Sequence, residues 1–202
     1  MFATPTSPQR AAVPGYPYRL PAETTFPALQ NKNVLCILDY DNLRLSVLES
    51  QRRFSASLLI QRLTTECKSL EPWAVLGAPA GDFWRIDYLK ARAWSVLAMI
   101  WEPAPHGVLR NADFDLVALA AERLAGTAFD AAIVGSGDGA LVRAVARSAK
   151  RSNARIEVLT LSVRHSTSSK LLTTVAGDLI DANIFIGDDL VRSMEGKRSV
   201  AA

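Results

Sequence analysis

The stretch VLCILDYDN, residues 34–42, decides the fold of this chain. Its first part, Val34 to Leu38, is a short and continuous apolar run that passes directly into the polar residues 39–42. Such a run is typical of a strand that is buried on both faces, as in a parallel sheet. Because ligands gather at the carboxyl ends of parallel strands, the acids that follow this run are the first place to look for chemistry.

The chain beyond this stretch alternates between extended and helical patterns. We predict further strands at residues 73–76, 95–101, 131–134 and 156–161, and helices at residues 57–70, 82–92, 112–125, 138–151 and in a short segment that ends near Val175. Strands that alternate with helices form βαβ units, which build a parallel sheet with helices on both faces. The predicted fold class is therefore α/β, a three-layer, Rossmann-like α/β/α domain with a mainly parallel sheet of about five strands.

The two ends of the chain lack this alternation. Residues 1–30 have no apolar periodicity and carry a series of prolines, namely Pro5, Pro8, Pro14, Pro17, Pro21 and Pro27. We therefore predict a disordered, proline-rich leader over residues 1–30, a single domain over residues 31–190 and a flexible tail over residues 191–202. The sequence is compatible with a protein partner that binds the leader and with assembly into a homo-oligomer.

The composition describes the environment of the protein. A chain of 202 residues that is 49% hydrophobic can bury the core of one domain. No stretch approaches the roughly 18 to 20 apolar residues that span a bilayer, so we expect no membrane segment. Cys36 lies in an apolar run and Cys67 in a helical pattern, which favours reduced thiols and a cytoplasmic location. The net charge of +3 permits a nucleic-acid partner without demonstrating one.

Acids follow two of the predicted strands. Asp39 comes directly after the first strand, and Asp138 lies in the glycine-rich turn after the fourth. Clustered carboxylates repel one another unless a cation lies between them, and hard oxygen ligands suit Mg²⁺ or Mn²⁺. The alternative is that both acids cap the helices that follow them.

A third acid opens the predicted helix 112–125. On a helical wheel Asp113 points the same way as the apolar residues Val117, Ala120 and Leu124, whereas Asp115 points to the other side. An acid on the buried face is placed to reach a shared site, although a first-turn acid also interacts favourably with the helix dipole. Asp113 is therefore the preferred third ligand and Asp115 the fallback.

Four stretches of the chain resemble the NYN domain family, the LabA-like branch of the PIN-type nucleases. They are VLCILDYDNL (34–43), RNADFDLVALAAERL (110–124), FDAAIVGSGDGALVRAVARSAKRSNARIEVLTL (129–161) and LLTTVAGDLIDANIF (171–185). They occur in the order of the family and cover roughly residues 33–186. Asp39 and Asn42 match the Asp-x-x-Asn after the first strand, and residues 136–138 match the Ser-Gly-Asp after the fourth.

This resemblance implies a PIN-like fold and a metal-dependent ribonuclease. In that interpretation Asp39, Asp113 and Asp138 hold Mg²⁺ or Mn²⁺, Asn42 steadies the site, and Asp178 is a possible additional acid. RNA is the implied partner, and the reaction is hydrolysis of a phosphodiester by a metal-activated water.

One departure from the family keeps a second interpretation open. The family commonly reads Ser-Gly-Asp-x-Asp, but Ala140 stands at the last of these positions. The same resemblance is therefore compatible with a catalytically silent NYN-type module that binds RNA or a protein.

Basic residues follow Asp138 along the chain. The candidates for contacts with RNA phosphates are Arg143, Arg147, Arg151 and Lys170. The three arginines share one helical face, which is equally typical of ordinary solvated surface.

A more distant alternative is a phosphatase of the haloacid-dehalogenase type. Asp39-x-Asp41 and the later Gly137-Asp138-Gly139 are similar to motifs of that family. Asp39 would then be a nucleophile and Asp41 a general acid. Leu43 stands where that family usually has threonine or valine, which counts against this interpretation.

Overall fold

The computed structural model describes residues 19–81, 83–101, 112–164, 166, 169 and 172–193. Within them a six-stranded sheet has the order β4-β3-β1-β5-β6-β7, and every neighbouring pair is parallel. Its strands are β1 (Asn33–Asp39), β3 (Ser69–Pro79), β4 (Ser95–Trp101), β5 (Ala131–Gly135), β6 (Glu157–Ser162) and β7 (Ala182–Phe185). Two short strands, β2 (Arg52–Phe54) and β8 (Val191–Ser193), form a separate antiparallel ribbon.

Helices cover both faces of the sheet. They are α1 (Tyr40–Leu48), α2 (Ala56–Glu66), α3 (Trp84–Lys90), α4 (Asp113–Gly126), α5 (Gly139–Ser152) and α6 (Leu172–Ala176), and a short 3-10 helix spans Asp188–Leu190. Helices α1 to α3 pack into one hydrophobic cluster and α4 to α6 into another. No helix in the described part of the chain is long and apolar enough to cross a membrane. The predicted three-layer α/β/α fold is thus confirmed.

Strand β1 lies in the middle of the sheet and divides its side chains between the two clusters. Val34, Cys36 and Leu38 belong to the cluster under α1 to α3, whereas Leu35 and Ile37 belong to the cluster under α4 to α6. All five side chains are at most 1% exposed. Burial on both faces explains why this strand is a continuous apolar run.

The order of the strands creates a switch point beside β1. The chain passes from β1 to β3 and β4 on one side, and then returns to β5, β6 and β7 on the other. In open α/β sheets, ligands bind outside the carboxyl ends of the strands at such a point. The ends of β1 and β5 therefore define the crevice where a site is expected.

The segment before β1 corrects the predicted extent of the leader. Leu20, Thr24 and Leu29 are buried. The backbone N–H and the hydroxyl of Thr24 both donate to Asp189 Oδ1 at 2.8 Å, and the hydroxyl accepts the N–H of Gly187 at 2.8 Å. The prediction of a disordered leader is therefore wrong for residues 19–30, which form an arm packed on the domain. Residues 1–18 lie outside the described residues.

The other end of the chain also needs a correction. Residues 191–193, predicted to begin a flexible tail, form strand β8 and pair with β2. Val191 is buried opposite Phe54. The domain therefore extends to residue 193, and residues 194–202 lie outside the described part.

Both cysteines carry free thiols. Burial raises the pKa of the Cys36 thiol far above its ordinary value. Burial and the charge of Glu66 together raise the pKa of the Cys67 thiol to about 11. Neither thiol is therefore a ready nucleophile near neutral pH.

We expect the arm to contribute measurably to stability through Thr24. Thr24→Val keeps the shape of the side chain but leaves the Gly187 N–H without its acceptor, which should lower the free energy of unfolding by about 1 to 3 kcal/mol. Urea denaturation measures the loss. Thr25→Val, at the exposed neighbouring position, is the matched control and should change little. Equal stability of the two variants would show that the arm does not contribute to folding.

Candidate functional site

The candidate site lies where β1 and β5 end side by side. Leu38 pairs with Gly135, so Asp39 and Ser136 emerge together at the carboxyl edge of the sheet. Asp39 then caps α1 and Asp138 caps α5. Two helices therefore start from the same edge, and their first residues surround the crevice at the switch point.

Gly135 permits this close approach. A Cβ atom at this position would lie 2.4 Å from Cδ2 of Leu38 and 2.9 Å from Cδ1 of Leu43, both below any normal contact. Because Leu43 belongs to α1, the missing side chain allows α1 to pack against the end of β5. The turn that follows β5 is thereby brought to the first turn of α1.

Hydrogen bonds connect the two strand ends. The hydroxyl of Ser136 donates to Asp39 Oδ2 at 3.2 Å and accepts the N–H of Asp138 at 3.1 Å. The N–H of Gly137 donates to Asn42 Oδ1 at 2.9 Å, and the N–H of Asn42 donates to Asp39 Oδ1 at 3.1 Å. Asn42 therefore ties the two turns together and borders the Asp39 carboxylate, as the sequence predicts.

The carboxyl of Asp39 is electrostatically perturbed. Burial, together with the charges of Asp113 and Asp41, raises its pKa to about 6, although the hydrogen bonds from Asn42 and Ser136 act in the opposite direction. An acid with such a pKa is still ionised at neutral pH but is held there at a cost in free energy. A bound cation would remove this cost.

Asp113 lies near enough to Asp39 for its charge to act on that carboxyl. It is the first residue of α4, and Leu116 and Ala120, three and seven residues later, are buried on the same helical face. The charges that raise the pKa of Asp39 are those of Asp113 and Asp41, and Asp115 is not named among them. That Asp113 rather than Asp115 is a ligand stays a prediction.

Asp138 does not complete the predicted three-carboxylate cluster. Its Oδ1 accepts the N–H groups of Ala140 at 2.8 Å and Leu141 at 3.3 Å, which is the capping role considered as the alternative. Among the described residues, no group of three or more His, Cys, Asp or Glu side chains could hold a metal ion. The structure assembles a pair of acids, Asp39 and Asp113, with Asp138 engaged by the helix beside them.

The predicted RNA contacts are only partly available. Arg143 forms an ion pair with the exposed Asp178 at 2.6 Å and donates to the carbonyl of Val175, so it fastens α5 to the α6 segment. Asp178 is accordingly an ion-pair partner rather than an additional acid of the site. Arg147 and Arg151 are exposed, and Lys170 lies outside the described residues.

A second polar contact at this edge involves Asp41. Its Oδ1 accepts from Arg85 at 2.5 Å, its Oδ2 accepts the N–H of Gly77 at 3.1 Å, and the other nitrogen of Arg85 donates to the Gly77 carbonyl at 3.0 Å. Arg85, which the sequence analysis missed, is buried on α3 beside Ile86. An arginine within an apolar helical face was the only signal that could have revealed it.

Comparison with known proteins identifies the fold and not the family. Searches of protein-family models and of curated proteins find no match to this chain. The chain is similar to the crystal structure of a protein of unknown function from Vibrio parahaemolyticus, with 20% sequence identity, a TM-score of 0.64, and coverage of 83% of this chain and 99% of that one. At this identity the likeness supports the α/β fold alone.

A weaker similarity is to a short-chain dehydrogenase/reductase (wide type) from Veillonella parvula in complex with NADP. It has 13% identity and a TM-score of 0.33, and it covers 66% of this chain and 48% of that one. A similarity of this degree carries no functional argument.

Proposed function

We propose that this chain is a metal-dependent ribonuclease of the NYN type, with Asp39 and Asp113 at its centre. The observation that carries the proposal is the partly buried Asp39 carboxyl, which lies at the switch point of the sheet beside the charge of Asp113. The charge of one acid disfavours ionisation of an acid close to it, and a cation bound between them removes this penalty.

The donor set fits a hard cation. Carboxylate and amide oxygens are available from Asp39, Asp113 and Asn42, and no sulfur or imidazole ligand is involved. Mg²⁺ is usually held by only one or two protein carboxylates and keeps several waters and substrate phosphates as its other ligands. A pair of acids is therefore sufficient for Mg²⁺ or Mn²⁺, and the backbone N–H of Asp138 would help to orient the Ser136 hydroxyl that donates to Asp39.

The chain's own residues position the reacting groups. When bound, the metal supplies an activated water and neutralises charge on the attacked phosphate. Asp39 is oriented by two hydrogen bonds, from Asn42 and Ser136. The N-termini of α1 and α5 both point to this edge, where their N–H groups favour an anionic phosphodiester. We also propose a cytoplasmic location, since both cysteines carry free thiols.

A catalytically silent NYN-type module is the second candidate. Ala140 lies in the first turn of α5, which carries no acid, and Asp138 is occupied as a helix cap. These observations favour a site that binds RNA or a protein without cleaving RNA. The phosphatase alternative is weakened because Asp41 is held in an ion pair with Arg85 and is poorly placed to act as a general acid.

The proposal is tested with labelled RNA and two matched variants on one helix. We expect cleavage with Mg²⁺ or Mn²⁺ and none with EDTA. Asp113→Asn should lower kcat by about 100-fold or more, because even residues that only support a metal ligand are worth about 10- to 100-fold. Asp115→Asn, the same substitution two residues away, should leave cleavage nearly unchanged.

The outcomes separate the candidates. Cleavage that persists in EDTA, or equal loss in both variants, contradicts the role of the Asp39–Asp113 pair. RNA binding without cleavage under any metal condition supports the silent module instead.

A further inference from the structure

A groove of about 530 Å³ lies on the α1 side of the sheet. One wall is a face of α1, since Tyr40, Arg44 and Leu48 recur every four residues. Another wall is α3, whose Trp84 and Tyr88 have the same spacing. The β2–β8 ribbon closes the groove. No predicted site residue lines it, so this groove is a separate feature of the molecule.

The lining of the groove is strongly basic. It contains four arginines and no acid, the arginines being Arg44, Arg52, Arg53 and Arg192. Arg53 and Arg192 lie directly opposite each other in the antiparallel ribbon. Two like charges at paired positions destabilise a ribbon, and an anion between them would relieve the repulsion. Within the described part of the chain, neither arginine has an ion-pair partner.

Arg44 adds an unsatisfied donor. Its Nε is buried and has no hydrogen-bond partner among the described residues, although it forms an ion pair with Asp41 Oδ1 at 3.6 Å. At this distance the ion pair is too long to be a hydrogen bond, so it compensates the charge of Arg44 only in part. Together with the paired arginines of the ribbon, Arg44 gives the groove a positive charge that favours an anionic ligand.

Aromatic rings supply the rest of the surface. Tyr40 and Phe54 are buried, with ring centroids 6.3 Å apart, whereas Trp84 is 62% exposed and Leu48 41% exposed at the rim. Tyr88 is stacked under the guanidinium of the neighbouring Arg92 at 3.9 Å. An exposed indole beside arginines offers a flat face on which a base can stack while phosphates contact the cations.

We infer that this groove binds a segment of single-stranded RNA, with a base stacked on Trp84 and phosphates held by Arg44, Arg53 and Arg192. An acidic peptide would satisfy the arginines but would leave the exposed indole without a stacking partner. A duplex would satisfy the arginines through its backbone but keeps its bases stacked inside. Only a single strand uses both features.

The choice of RNA rests on the proposed function, but the groove does not require the acidic pair. Tyr40 lines the groove and directly follows Asp39, so a single helix carries both features. A strand that enters the groove along α1 is led toward the first turn of that helix. The groove would thus hold the substrate, and the acids at the edge would act on it.

Binding is tested without cleavage, by fluorescence anisotropy of a labelled single-stranded RNA in EDTA. Trp84→Leu should weaken binding by about 5- to 150-fold, which is the loss of affinity expected when one stacking contact between a base and an aromatic ring is removed. The double variant Arg53→Gln/Arg192→Gln should reduce the slope of log affinity against log salt by about 1.4, at about 0.7 for each lost phosphate contact. Both substitutions are at exposed positions, and circular dichroism checks that the variants are folded.

The matched control is Lys68→Gln/Arg155→Gln, which removes the same charge at exposed positions shortly before β3 and β6. The inference is overturned if this pair weakens binding as much as the groove pair, or if Trp84→Leu has no effect. It is equally overturned if duplex RNA or a polyglutamate peptide binds as tightly as the single strand. Binding is measured in EDTA, where the proposed cleavage does not occur, so a failure of the cleavage mechanism remains distinguishable from a failure of the groove.

Discussion

Asp39→Asn is expected to abolish RNA cleavage and, at neutral pH, to make the metal-free protein more stable. Asparagine caps a helix as well as aspartate does and can accept the Asn42 N–H in the same way. It removes the charge that would hold the cation, so cleavage should fall by at least the roughly 100-fold expected for loss of a metal-site residue. Steady-state cleavage with Mn²⁺ or Mg²⁺ measures this loss.

The gain in stability should depend on pH in a defined way. The pKa of Asp39 is raised from 3.8 to about 6 in the folded protein, mainly by burial. Between these two values the folded state holds the proton that the unfolded state releases, so the stability of the wild type falls as the pH rises. Above about pH 6 the full penalty, up to about 3 kcal/mol, is present. Because asparagine does not titrate, the Asp39→Asn variant lacks this penalty.

Thermal denaturation of both proteins in EDTA tests this sign. Their midpoints should converge near pH 4 and separate up to about pH 6, with the variant higher. Added Mg²⁺ should raise the midpoint of the wild type and not that of the variant. A variant less stable than the wild type at neutral pH would show that the Asp39 charge is already compensated within the protein.

Gly187→Ala is expected to cause a large loss of stability. A Cβ atom at Gly187 would lie 2.5 Å from the carbonyl carbon of Glu23, 2.7 Å from the backbone nitrogen of Thr24 and 2.7 Å from Asp189 Oδ1. Backbone atoms cannot rotate away as side chains can, so the arm must shift and lose the hydrogen bonds of Thr24. We expect a loss of about 3 kcal/mol or more, since overpacking and broken buried hydrogen bonds both contribute.

Gly126→Ala is the matched control at the end of α4. A Cβ atom at Gly126 would have no heavy atom within 4 Å. Because alanine favours the helix more than glycine does, this variant should be unchanged or slightly more stable, by up to about 1 kcal/mol. Urea denaturation of the two variants gives the comparison. A Gly187→Ala protein as stable as Gly126→Ala would mean that the arm is not held as tightly as its contacts indicate.

The sheet was predictable because its central strands have a distinctive sequence pattern. Residues 34–38 and 131–134 are apolar on both faces, and this pattern of burial alone identifies them as strands of a parallel sheet. Helix α1 was missed because Leu45 and Leu48 are exposed while Ser46 is buried, which removes the amphipathic pattern. The strands β2 and β8 are three residues each and meet across most of the chain, a pairing that no local pattern contains.

The candidate site was predictable in position and less so in detail. The helical wheel favoured Asp113 over Asp115, and in the structure the charge of Asp113 acts on Asp39. Whether the Asp138 carboxylate binds a metal or caps helix α5 depends on the orientation of its side chain. The sequence of the loop between β5 and α5 is compatible with both roles. The arm escaped prediction because its hydrogen bonds, such as that between Thr24 and Asp189, join residues far apart in the sequence, and the prolines around it resemble those of an unstructured segment.

The hydrogen bonds between Thr24 and Asp189 have a consequence for synthesis of the chain. The two residues are 165 positions apart, so the arm emerges from the ribosome long before the residues that fasten it. Throughout elongation Leu20 and Leu29 lack their complete binding surface, and the domain cannot close until residues 187–193 have been made. Chains that stop early would therefore present an unfastened apolar arm, which marks them for chaperones and proteases.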